Sequence, residues 1–126
     1  MLLPVREVVE ALRTSDLLLV HVAAPRPGGG FGSAVDKVRA LDHVDQRLLG
    51  PLLELLQAYR PCRMILAADA AVSTETLRPQ RVPVPVAVAG DGIAADAATR
   101  WEEETCLQGR LGRMNLQDFL RATRMD

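Results

Sequence analysis

Several things are scarce in these 126 residues, and each scarcity removes a class of function. There are two cysteines, Cys62 and Cys106, and two histidines, His21 and His43, none at metal-ligand spacing from another. That excludes a zinc finger or a disulfide scaffold, and reads the cysteines as buried thiols in a reducing cytoplasm. The start, Met1-Leu2-Leu3-Pro4, has no basic stretch leading into an apolar one, and no run approaches 18 apolar residues. A secreted or membrane-spanning protein is not expected. Fifteen basic residues against sixteen acidic give a net charge of -1, so no overall field draws the chain onto nucleic acid or anionic lipid. Lysine occurs once, at Lys37, and the arginines are scattered rather than clustered. Neither Gly-x-Gly-x-x-Gly nor Gly-Lys-Ser/Thr is present, so the one glycine-rich stretch, residues 24 to 32, is no phosphate cradle.

What remains is an ordinary globular composition, 48% hydrophobic and 25% charged, at the length of one domain. Residues 1 to 126 are therefore expected to form a single α/β domain. Val5, Val8, Val9 and Leu12 recur at helical spacing after Pro4, and the continuous apolar run Leu17 to Val22 suits a strand covered on both faces. Ser33 with Asp36 forms a helix-capping pattern, followed by an apolar stripe from Val35 to Tyr59 that Gly50-Pro51 kinks or divides. A second buried strand is expected over Met64 to Ala68, ending at Asp69. A third lies over Val82 to Ala89, pushed to an edge by Pro83 and Pro85. Asp91-Gly92 marks a turn, Trp101 to Leu107 a short helix, and Asn115 caps a last helix carrying Leu116, Phe119 and Leu120.

Strand, helix and strand in that order make a right-handed crossover unit, and hence a mostly parallel sheet of few strands flanked by helices. Sites in such sheets form at the carboxyl ends of strands, here the loops at 23 to 33 and 69 to 81. His21 reads as a structural histidine near the core, His43 as part of a solvated helix face, and Glu102-Glu103-Glu104 as an exposed acidic turn at a helix start.

The order of these segments is recognisable. Ser15 to Pro25, a glycine-rich loop, Asp36 to Asp45 running into Gly50-Pro51-Leu52-Leu53, then Met64 to Asp69, Val82-Pro83-Val84-Pro85, and Trp101-Glu102-Glu103 with Gly109 follow one another. Over residues 10 to 123 this resembles the archaeal-type cofactor-independent phosphoglycerate mutases of the alkaline phosphatase superfamily. The resemblance implies a truncated alkaline phosphatase-like core corresponding to the C-terminal metal-binding part of those enzymes. It also implies a pair of divalent cations, manganese or zinc, that supports phosphoryl transfer through a covalent Ser or Thr.

At the implied ligand positions this chain departs from the family. An Asp and a His of the first loop correspond to Arg26 and Gly30, a His after the second strand to Ala70, and a His before the Pro-Val-Pro segment to Pro79. Asp69 alone is retained. The nucleophile and the first metal-bearing strand belong upstream of the matched region, and the inserted substrate-closing domain is missing. The resemblance with these losses implies a catalytically degenerate relative, with no catalytic residue and no metal bound. Its role is then binding, regulation or assembly as a homo-oligomer or with a protein partner. Two alternatives stand beside it. One is a residual mutase or phosphotransferase component completed by another chain. The other is a metal-free binder of a phosphorylated small molecule through Arg26, Arg78 and Arg81, against the plain alternative of solvated loop charges.

Overall fold

The computed structural model describes residues 5–23 and 33–124. These belong to two compact units, one drawn from Met1–Arg60 with Thr74–Leu77, the other from Pro61–Ser73 with Arg78–Asp126.

The first unit is helical. The valine stripe folds as α1 (Val5–Leu12), with Val8 buried. Ser33 opens α2 (Ala34–Val44): its hydroxyl accepts the Asp36 N–H at 3.2 Å and donates to the Asp36 carboxylate at 2.9 Å, satisfying an N–H that the first helical turn leaves open. The interruption expected near Gly50-Pro51 takes the form of a π-helical turn over Asp45–Leu49 before α3 (Gly50–Leu56). The physical cause is Pro51, which has no N–H and whose ring collides with the carbonyl four residues earlier in a regular helix. A wider turn relieves that collision, and the Gly50 N–H reaches back to the Asp45 carbonyl. Val8, Leu48 and Leu52 are the buried apolar residues, and α1 packs on α3. At about 1.5–3 kcal/mol for each fully buried side chain, this three-residue centre is modest. The first half of the stripe contributes nothing to it, because Val35, Val38 and Leu41 on α2 remain exposed.

The second unit is built on strands. β1 (Arg63–Ala67) pairs with β4 (Val86–Gly90), Ile65 opposite Val88, and β2 (Ala71–Val72) pairs with β3 (Pro79–Gln80). Both pairs are antiparallel, so the expectation of a mostly parallel sheet is corrected to two small antiparallel ladders. The reason is local. Asp91 donates its N–H to the Cys62 carbonyl at 3.0 Å, while its carboxylate accepts the Cys62 N–H at 2.9 Å. This exchange continues the β1–β4 register one step past the strands. Gly90, at φ +123°, lies where a Cβ would run into the Cys62 carbonyl oxygen, so the close approach needs glycine. Arg63 then binds outward: Nε donates to the Asp91 carbonyl at 2.7 Å, and Nη1 to the carbonyls of Thr123 and Arg124 at 3.2 and 2.9 Å.

Those last two carbonyls end α5 (Leu116–Thr123), so one guanidinium ties the first strand to the C-terminus of the last helix, where cations are favoured. Asn115 caps that helix as expected, accepting the Asp118 N–H at 3.0 Å. α4 (Glu103–Leu107) follows Glu102, with Glu103 and Glu104 in its first turn. The loop before it is held by Asp96, whose carboxylate accepts the N–H groups of Arg110 and Ala98 at 2.6 and 2.9 Å. These bonds hold its pKa below the ordinary carboxylate value, Arg110 first.

Five further expectations change. Leu17 to Val22, read as a central strand, belongs to no ladder, and Leu17 and Leu19 are 86% and 89% exposed. β1 takes its partner from the antiparallel return of β4, with Cys62 and Asp91 bonded to each other at its start. His21 is accordingly exposed instead of lying near a core, and Cys62 and Cys106 are free and half-buried rather than buried. The strand expected over Met64 to Ala68 is half-covered, and the third starts at Val86, directly after Pro85. No helix among the described residues is long and apolar enough to cross a membrane.

Arg63→Ala is expected to lower the unfolding free energy by about 1–3 kcal/mol, since it strands carbonyls that a charged donor now satisfies. Arg113→Ala, at an exposed position, is expected to stay within about 0.5 kcal/mol, both read from urea midpoints. Equal midpoints for the two variants would show that the Arg63 bonds stabilise nothing. For Asp96 the folded pKa is depressed, so its contribution is present above the unfolded value near pH 4 and is lost as pH falls through the lower folded value. The wild-type urea midpoint should therefore drop more between pH 5 and pH 2.5 than that of Asp96→Asn, and parallel curves would contradict this.

Candidate functional site

Of the two loops singled out in the sequence, residues 24–32 with Arg26 and Gly30 lie outside the described residues. The other, 69 to 81, is the β2–β3 hairpin. β1 stops at Ala67, the chain bends at Asp69, and pairing resumes at Ala71 opposite Gln80 and Val72 opposite Pro79. The six-residue connection is closed by the Ser73 N–H donating to the Arg78 carbonyl at 3.1 Å. Leu77 sits there at φ 55°, the left-handed region that costs a non-glycine residue about 1–2 kcal/mol.

This register gathers the positions the resemblance singled out. Paired residues share a face and alternate along each strand. Pro79 therefore faces the same way as Val72. Of the two positions where the resemblance implies imidazoles, Ala70 immediately precedes β2 and Pro79 lies in β3, with Arg81 directly after that strand. Asp69, Arg78 and Arg81 are all exposed.

Chemically the arrangement suits neither a divalent pair nor a tight anion clamp. No group of three His, Cys, Asp or Glu able to hold a metal ion exists among the described residues. One carboxylate, an alanine and a proline supply a single donor, and the Arg81 position adds a cation where cations would bind, which Coulomb repulsion opposes. Arg78 and Arg81 flank β3, one at each end. His43 is exposed on α2, and Glu102 spends its carboxylate on the Thr105 hydroxyl at 2.6 Å. Sequence reasoning passed over Trp101 as a polar group, and its indole N–H is buried without an acceptor. No pattern in the sequence signals that.

Comparison with known proteins places the hairpin in a larger context. Nearly the whole chain resembles part of a group of longer phosphate-handling proteins. It is 30% identical over 118 residues to the 2,3-bisphosphoglycerate-independent phosphoglycerate mutase of Methanothrix thermoacetophila, matching 93% of this chain and 30% of that protein. It is 37% identical over 102 residues to 2,3-bisphosphoglycerate-independent phosphoglycerate mutase 2 of Methanothermobacter thermautotrophicus, covering 81% of this chain and 25% of the relative. For the Aeropyrum pernix mutase the values are 33% over 106 residues, 82% and 24%. The chain is therefore a relative of the archaeal-type 2,3-bisphosphoglycerate-independent phosphoglycerate mutases, spanning under a third of the length of the relatives it matches. No family model matches it, and no solved structure matches it.

Ala70→His combined with Pro79→His places two imidazoles on the two arms of one hairpin. Added zinc should then stabilise the double variant, by about 2.7 kcal/mol at a hundredfold excess over Kd, and neither single variant. Differential scanning fluorimetry reads this directly. A double variant indifferent to zinc would show that the two positions do not converge.

Proposed function

We propose that this chain is a catalytically degenerate relative of the phosphoglycerate mutases that serves as a binding or assembly module. The observation that supports this reading is the residue content in and beside the β2–β3 hairpin at the positions the resemblance singles out: Ala70 and Pro79, with Arg81 following β3. Removal of two imidazoles takes away donors, and a guanidinium in their place makes the local potential positive, so the loss of metal affinity has two additive causes. Arg26 in place of a carboxylate in the first loop acts in the same direction.

The assembly half of the reading is supported by apolar surface. Val35, Val38 and Leu41 on one side of α2, and Leu17 and Leu19 in the unpaired run, are more than half exposed. Isolated exposed leucines are common, but contiguous exposed runs of this kind characterise surfaces that another chain covers.

The purified chain is expected to show no interconversion of 2- and 3-phosphoglycerate above background with added manganese, and no rise in melting temperature with micromolar manganese or zinc. Because a ligand specific to the native state must raise stability, an upward shift abolished by Asp69→Ala would overturn the degenerate reading. So would metal-dependent activity that copurifies with the chain.

A further inference from the structure

We propose that Arg63, aimed by the Asp91–Gly92 turn, is a latch for the end of α5, so that a displacement of that turn releases the helix end without opening the β1–β4 ladder.

The end of a helix leaves carbonyls without partners inside the helix. Many helices settle them with a left-handed residue just past the end, whose N–H turns back onto the last turn. α5 leaves by another route, because Arg124 is extended, at φ -57° and ψ 135°. The carbonyls of Thr123 and Arg124 are taken instead by the Arg63 guanidinium, at 3.2 and 2.9 Å, across 60 and 61 positions of sequence. Thr123 is itself buried, and its hydroxyl donates to the Phe119 carbonyl at 2.8 Å, which fixes the same turn from within. A guanidinium there supplies charged donors where the helix dipole is negative, so withdrawing it removes two bonds and a favourable field together.

The turn is what aims the guanidinium. Its Nε donates to the Asp91 carbonyl at 2.7 Å. Gly92, at φ +77°, leaves open the space beside Nη2, and a Cβ at that position would come within 2.7 Å of the nitrogen. Real Cβ atoms do not sit so close, so a side chain at 92 displaces the guanidinium, the far end of a flexible chain, and draws it away from α5.

The ladder is held by other groups. Asp91 grips Cys62 through its own N–H and carboxylate, and the backbone pairs run from Arg63 opposite Gly90 to Ala67 opposite Val86. The turn therefore has two separable duties: register through Asp91, and docking of the helix end through Gly92 and Arg63. Both belong to the strand-built unit, and neither depends on whether the chain binds metal.

The test is amide hydrogen exchange of the full chain, read residue by residue by nuclear magnetic resonance. Arg63→Ala should speed exchange of the α5 amides about tenfold, the factor expected when charged hydrogen bonds close a local opening. Gly92→Asn keeps a residue type that accepts positive φ and adds a Cβ, so it should speed the same amides several-fold and the β1 amides less. In the Arg63→Ala background, Gly92→Asn should add nothing to α5 exchange, because both changes act through one guanidinium. Additive effects of the two substitutions overturn the latch, and so does a Gly92→Asn variant in which ladder and helix amides speed up alike. The unaltered protein gives a check of its own. The Arg63 Nε–H should be protected to the same degree as the last amides of α5, and an Nε–H exchanging at the solvent rate beside protected helix amides also overturns the proposal.

Discussion

Everything described in the strand-built unit depends on how Cys62 and Asp91 hold each other. Their reciprocal bonds, N–H to carbonyl one way and N–H to carboxylate the other, set the β1–β4 register. Gly90 permits the approach, and Arg63 carries the same anchor on to the end of α5. With β1 fixed at its start, it ends at Ala67, the chain bends at Asp69, and the following hairpin has its pairing determined by Ala71 and Val72. The positions the resemblance singles out, Asp69 and Ala70, therefore follow a strand whose register is set at its opposite end.

The helices were largely legible in the sequence, because their signals are local. A capping serine, a capping asparagine and an apolar stripe each act within one or two turns, and α1, α2 and α5 begin and end close to where those residues put them. Pro51 likewise announced an interruption, although a π-helical turn in place of a kink is decided by how the surrounding carbonyls accommodate the ring. Strand pairing was less legible. Apolar runs report that a segment seeks cover, and Leu17 to Val22 and Met64 to Ala68 give the same report. Which of them is paired depends on the Asp91 side chain, 29 residues from the Cys62 amide it accepts. The parallel sheet followed from treating the two runs alike.

For the site, the kinship with the mutases was readable because it resides in segment order and residue identity, and similarity over most of the chain bears it out. That Ala70 and Pro79 belong to one hairpin was not readable, because the pairing of Val72 with Pro79 is fixed by the turn between them and not by the two short strands.

The proposed degenerate character is most directly tested by titrating the chain into manganese and following the electron paramagnetic resonance signal of the free ion. The signal should equal that of buffer at every protein concentration, because a lone exposed carboxylate does not retain the ion. A signal that falls in proportion to added protein and returns in Asp69→Ala would contradict that proposal.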